Sequence, residues 1–221
     1  MLSVPSVEEV IYTAVLLSWV LFVALVLTKW TYEAMRRRGS EHHVAVYYNR
    51  KVIHVLAGGV VAALVPYLYK SYTMIGLMVA VLAIGNLLPH LRGKLFYWYQ
   101  VKENMYEVNF ILMWGAVVFV GFLLNDLWLA VVPVMFMAVG DGVTGFVRNA
   151  LHRRRTKAFM GNLAMMGFCV PYGFAVLGVP GAVAGLLASL VERFEFGPVD
   201  DNVIVPATAL AVILALRSLT G

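Results

Sequence analysis

Charge is scarce in this chain, and cysteine is nearly absent. Only 13% of its 221 residues are Asp, Glu, Lys or Arg, while 62% are hydrophobic. Soluble domains carry about 25% charge and about 45–50% apolar residues. The shortage of charge excludes an ordinary solvated surface, and the composition points to a polytopic membrane protein. The single cysteine, Cys169, excludes an intramolecular disulfide and a multi-cysteine metal site. It lies in an apolar run and reads as buried filler. No A-x-A-like cleavage site follows the first apolar run, Val10 to Thr28, which is itself long enough to span. No internal repeat or disordered tract is evident.

What is there is a series of long apolar runs. A span needs about 20 apolar residues and sometimes as few as about 17. Eight are expected, at 9–29, 52–69, 72–89, 107–124, 127–147, 159–177, 180–194 and 203–218. Pro66, Pro89, Pro133, Pro171 and Pro180 lie within or beside them, where kinks are expected. The connecting segments then alternate between two sides. Segments 30–51, 90–106, 148–158 and 192–202 share one side. Of the 17 Lys and Arg, only Lys70 and Arg217 fall on the other. An excess of Lys and Arg marks the cytoplasmic face, so both termini are expected outside and the four long loops inside. The net charge of +5 suits anionic lipid heads or an anionic ligand at that face. Nucleic acid is a poor fit, because the cations are spread over four loops without a recognition motif.

Four polar patches stand out. In "AVGDGVTGFVRN" (138–149), Asp141 sits about six residues inside its span, roughly 9 Å deep at about 1.5 Å per residue. An ionisable residue at depth normally faces the bundle interior or water and serves function. Gly140, Gly142 and Gly145 surround it, so a second helix or a ligand can approach. In "RNALHRRRTKAFMGN" (148–162), Arg148, Arg153, Arg154, Arg155 and Lys157 crowd a short loop. Arg153 to Arg155 read as positive-inside signals. Lys157 lies just before a span opened by Gly161 and Asn162, a setting that suits phosphate. In "NRKVIHVLAGG" (49–59), Arg50 and Lys51 precede His54, with Gly58 one turn further on the same face. In "LVERFEFGPVDDNVIVP" (190–206), Glu192, Asp200, Asp201 and Asn202 gather on an otherwise basic face. Capping accounts for one of these residues, not all. Hard-cation ligation accounts for them together, since Mg²⁺ takes one or two carboxylates and shares phosphate oxygens with its substrate.

All four patches fall at the same face. Carboxylates for a metal, cations for phosphate and a membrane setting imply phosphoryl or nucleotidyl transfer to a lipid. Asp141 and Glu192 are candidate proton acceptors. Asp141, Asp200 and Asp201 are candidate metal ligands.

The ordered set of motifs resembles the polyprenol kinase family, which includes dolichol kinase, phytol kinase and the CTP-dependent diacylglycerol kinase. It is related more distantly to the phosphatidate cytidylyltransferases. The matching residues are Arg50, Lys51, His54 and Gly58, then Gly140, Asp141 and Gly142, then Lys157 and Gly161, then Glu192, and finally Asp201, Asn202 and Pro206. They span residues 50–206, a family-like core preceded by a first span and basic loop in 1–49. The resemblance implies one all-α transmembrane catalytic domain over 1–221. It implies transfer of the γ-phosphate of CTP, with Mg²⁺, to a long isoprenoid alcohol. Arg50, Lys51, His54, Lys157, Gly161, Asn162 and Asn202 would then contact the nucleotide and its phosphates. In a prokaryote the membrane would be the plasma membrane. Two positions depart from the family. Arg148–Asn149 stands where a Gly-Arg pair is usual, and Asn162 where a serine often follows the glycine. The alternatives are a cytidylyltransferase making a CDP-lipid and, further off, a transporter using Asp141 as an ion site.

Overall fold

The computed structural model describes residues 4–153, 156–194, 196 and 199–220. The chain is helical, and among the described residues no strand forms. Seven helices are long and apolar enough to cross a membrane: α1 Val7–Arg37, α2 His42–Leu68, α3 Thr73–Leu91, α4 Tyr106–Leu123, α5 Leu127–His152, α6 Phe159–Val191 and α7 Asp201–Leu219. On α1 and α3 the large apolar side chains of Ile11, Val15, Phe22, Leu77 and Ile84 point outward. In water such a surface would be unstable; against lipid it is ordinary. In α5, Leu129 to Val134 and Phe136 to Ala138 are buried without a polar face. A helix apolar all round belongs in the centre, and α5 packs against α2, α4, α6 and α7.

Seven helices stand where eight spans were expected, because α6 reverses direction within itself. Gly178 has φ 65° and ψ −146°, a conformation open to glycine and strained for other residues. The limbs 159–177 and 179–191 then run back to back. A Cβ on Gly173 would strike the Gly181 carbonyl, and one on Gly185 would strike the Cys169 carbonyl. Small residues at these positions allow the two backbones to touch. Pro180 opens the second limb, where its missing N–H costs nothing.

Several helices outrun their expected spans. The segment expected as a basic loop, 30–51, is mostly helix, since α1 continues to Arg37 and α2 begins at His42. The reason is pairing. Hydropathy scores each residue alone, whereas Asn49, Arg50 and Lys51 are buried against partners from other helices.

Three wide turns interrupt the helices, at Phe22–Leu27, His54–Gly59 and Phe136–Gly140. Such π-bulges free backbone carbonyls and often mark functional sites. Apolar surroundings offer no water to satisfy those carbonyls. Three tryptophans contribute here: Trp98 Nε1 donates to Ala24 O, Trp19 Nε1 to Leu56 O and Trp114 Nε1 to Gly58 O, at 3.0, 2.8 and 3.0 Å. The second and third bulges touch each other. One begins at His54 and the other ends just before Asp141.

Candidate active site

The paired bulges of α2 and α5 bring Lys51, His54 and Asp141 together. Lys51 Nζ donates to Asp141 Oδ2 at 2.5 Å, and His54 Nδ1 lies 3.3 Å from the same oxygen. The His54 ring stacks on Phe110 of α4 with 4.1 Å between centroids. The other carboxylate oxygen, Asp141 Oδ1, is buried and accepts no hydrogen bond. The Lys51 stem reaches Asp141 by crossing Gly145, where any Cβ would collide with it. Gly142 likewise admits Val55 of α2, and Gly140 admits Cys169 of α6. The glycines of "GDGVTG" are therefore passages for neighbouring side chains around a buried aspartate.

Glu192 arrives from the end of α6. Arg148 of α5 grips it with two hydrogen bonds of 2.7 Å, NH1 to Oε1 and NH2 to Oε2. This two-pronged geometry is the strong form of the arginine–carboxylate pair. Arg148 also donates to the Ala158 carbonyl and to Asn162 Oδ1. Its stem passes over Gly161, where a Cβ would meet Nε and Cγ. Asn162 donates to Ser189 O at 2.6 Å and to Glu192 Oε2 at 3.2 Å. Lys157 Nζ reaches Glu192 O, Glu192 Oε1 and Asp201 Oδ2, at 2.9, 3.2 and 2.9 Å.

The three carboxylates form one group. Asp141, Glu192 and Asp201 each offer an oxygen, all within 4.8 Å of one another, and all three residues are buried. Lys51, Arg148 and Lys157 are interleaved with them, so three negative charges meet three positive ones. Lys157 is the one cation of the three with appreciable exposure, at 26% of its side chain. The sequence patches that converge here are Lys51 and His54, Asp141, Lys157 with Gly161 and Asn162, and Glu192 with Asp201.

Three expected residues stand apart. Asp200 is not in the carboxylate trio. Its Oδ2 accepts from Asn109 and Asn202, both at 3.2 Å, and its Oδ1 has no partner. Burial, and then repulsion from Asp201, pushes the Asp200 carboxyl up to about 6. Asn202 donates to Tyr106 O as well as to Asp200. Arg50 faces away from Lys51, as helix neighbours about 100° apart must. It lies over the Tyr106 ring at 3.8 Å and 3.5 Å from Glu107 Oε1. Arg153 is at the left-handed end of α5, and Arg154 and Arg155 lie outside the described residues.

Sequence reasoning missed Glu107, His90, whose Nε2 lies 3.7 Å from Glu107 Oε2, and the role of Arg148. Glu107 was placed at the edge of a span, where a carboxylate passes for an end signal. Arg148 was read as one cation of a loop. Its signal was its position seven residues after Asp141, two helical turns along the same face.

Compared with models of protein families, with curated proteins and with solved structures, the chain matches none. Function must therefore be argued from the chemistry of the site.

Proposed function

We propose that the protein is an integral membrane kinase that moves the terminal phosphate of a nucleoside triphosphate to a long-chain isoprenoid alcohol. The observation that carries this reading is the buried trio Asp141, Glu192 and Asp201, interleaved with Lys51, Arg148 and Lys157. CTP as the donor rests on the motif resemblance.

The donor set fits Mg²⁺. It is all oxygen, it is carboxylate-rich, and Asp141 Oδ1 is buried with nothing bonded to it. Asp141, Glu192 and Asp201 would hold the ion. When bound, Mg²⁺ supplies neutralisation of charge on the β- and γ-phosphate oxygens. Lys157, partly exposed, can turn from Asp201 toward the triphosphate. Lys51 stays with Asp141, because its stem is locked between α2 and Gly145. Arg148 keeps the plane of Glu192 fixed. The alcohol oxygen attacks the γ-phosphorus, the nucleoside diphosphate leaves, and the hydroxyl proton passes to a carboxylate. Asp141 is the first choice of acceptor and Glu192 the second, and Asp141 Oδ1, which is buried without a hydrogen bond, serves either the ion or the proton, not both at once.

In this reading α6 crosses the membrane twice, giving eight crossings with both termini opposite the site. The Lys/Arg bias then puts the site on the cytoplasmic side. Cysteines placed at Ser40 and His152 should react with impermeant reagents only from the cytoplasm; labelling from outside intact cells would refute this orientation.

The deciding experiment gives purified protein γ-labelled and α-labelled CTP, with ATP alongside, and a panel of lipid alcohols and phosphatidate. A kinase puts the γ-phosphate on the alcohol and releases CDP. A cytidylyltransferase releases pyrophosphate and makes a CDP-lipid. No turnover with any donor, with cation flux in vesicles instead, would support the transporter.

A further inference from the structure

An apolar cavity of about 300 Å³ lies between α1, α2, α3 and α4. Leu21, Leu25 and Val81 belong to its lining and are 41%, 36% and 48% exposed, on stretches of α1 and α3 whose neighbours Phe22, Val26, Leu77 and Ile84 are exposed as well. The cavity therefore opens sideways, toward the apolar exterior of the bundle. Six of its lining residues carry polar side-chain groups: Arg50, His54, Asn86, Tyr99, Glu107 and Trp114, whose indole N–H is taken by the Gly58 carbonyl. Asn86 and Tyr99 bond to each other at 3.1 Å. Arg50 and Glu107 are unfinished. Glu107 Oε1 is 3.5 Å from Arg50 Nε and Oε2 is 3.7 Å from His90 Nε2, ion-pair distances at which no hydrogen bond closes, with the Arg50 and Glu107 side chains only 5% and 8% exposed. An unmet polar group at such burial costs about 1–3 kcal/mol, and more if charged. A ligand that brings a donor and an acceptor would remove that cost.

We propose that this cavity holds the head end of a single-chain lipid alcohol, with its hydroxyl between Glu107 and Arg50 and its chain leaving between α1 and α3. The identity of the head group rests on the kinase reading above. A hydroxyl donates to the Glu107 carboxylate and accepts from Arg50 Nε, which meets both requirements with one oxygen. A phosphate-bearing head is disfavoured, because the charge of Arg50 is already balanced by Glu107 at 3.5 Å, although no hydrogen bond joins them, and an added anion would face that carboxylate. The volume is at the low end for a ligand pocket, about 300–1,000 Å³, and suits part of one chain rather than two. His54 joins the two regions. It lines the cavity, and its Nδ1 is 3.3 Å from the carboxylate of Asp141. A hydroxyl docked there lies one side chain from the acidic trio. Arg50 thus belongs to the acceptor rather than to the nucleotide.

The test uses full-length protein in nanodiscs, without nucleotide, and geranylgeraniol carrying a diazirine as the probe. After illumination, adducts should map to cavity residues of α1 and α3, such as Ala24 and Val79. Unlabelled geranylgeraniol should displace the probe, and phosphatidate and diacylglycerol should not. Gly85→Leu fills the cavity at a position where an added Cβ meets nothing within 4 Å, so the helix should tolerate it. It should weaken labelling at least about tenfold, and Glu107→Gln should weaken it as well. Adducts outside the cavity, equal displacement by phosphatidate, or full labelling of folded Gly85→Leu would each overturn the proposal. Specific labelling in a protein that phosphorylates no alcohol would keep the lipid site and remove the kinase reading. Phosphorylation with adducts elsewhere would do the reverse.

Discussion

The two ends of the helical bundle use the same residue types to opposite effect. At one end Glu9 is buried, and both of its oxygens are occupied by backbone. Oε2 accepts from Ser6 N, completing a capping box, and Oε1 accepts from the N–H groups of Lys70 and Ser71. At the other end Asp141 is buried more deeply, and its partners are the side chains of Lys51 and His54, with one oxygen bare. The arginine pairs show the same contrast. Arg217 meets Asp126 in a half-exposed pair, while Arg148 and Glu192 are each 1% exposed. Backbone donors fix a carboxylate permanently. Side-chain cations can be exchanged for a ligand. The first end is tied by backbone, and the second by side chains that a ligand could displace.

The largest effect expected from breaking this contrast is at Arg148. Arg148→Met leaves Glu192 buried with Lys157 as its remaining cation, and should cost about 3–5 kcal/mol of stability. Chemical denaturation in detergent would measure it. Replacing both partners, Arg148→Met with Glu192→Leu, should recover most of that loss, because buried ion pairs often exchange for apolar groups without penalty. The double variant should still transfer no phosphate. Recovery of activity with stability would show that the pair is structural, like the Glu9 cap.

Next in size is Asp141. Asp141→Asn preserves shape and removes charge, and should cut phosphate transfer at least about a hundredfold. Asp201→Asn should do likewise. Because both serve one cluster, the double variant should lose much less than the product of the two defects. Labelled phosphate incorporation measures turnover, with an elution profile in detergent to confirm folding. Near-normal turnover by folded Asp141→Asn would move the active site elsewhere and make Asp141 a packing residue.

One end of this contrast was legible in the sequence. Asp141 was found by asking why charge sits inside an apolar span, Glu192 and Asp201 by asking why carboxylates gather on an otherwise basic face, and Lys157 by its place before a helix N-terminus. Three things were not legible. Hydropathy could not extend α2 back to His42, because Arg50 and Lys51 are compensated by residues 57 and 90 positions away. The π-bulges of α2 and α5 left no local signature, since they face each other across the packing of those two helices. The cavity was hidden for the same reason. Gly85, which lines it, reads in one dimension like any other glycine in an apolar run.

A smaller loss is expected at the capping end. Glu9→Gln retains an oxygen for Lys70 N and Ser71 N but turns an amide toward Ser6 N, breaking the capping box. It should cost about 1 kcal/mol, within the range for losing a helix cap, and leave phosphate transfer unchanged. A loss of turnover without a loss of stability would mean that the two ends are coupled.

The smallest effect is expected at Arg217. The Arg217–Asp126 pair joins the same two kinds of group as Arg148–Glu192 but through one contact instead of two, with side chains 41% and 31% exposed. Water and ions screen such a pair, and exposed pairs are worth about 0.2–1 kcal/mol. Asp126 also keeps a second task when Arg217 is gone, since its Oδ1 caps α5 at Leu129 N. Arg217→Ala should therefore lower stability by a few tenths of a kcal/mol, and the difference should fade as salt is raised to about 1 M, where the screening length is about 3 Å. The Arg148→Met deficit should persist at that salt, because ions do not enter its surroundings. Denaturation midpoints of both variants at low and high salt make the comparison. If the two deficits fade together, the Arg148–Glu192 pair is open to solvent, and the site is wetter than its burial implies.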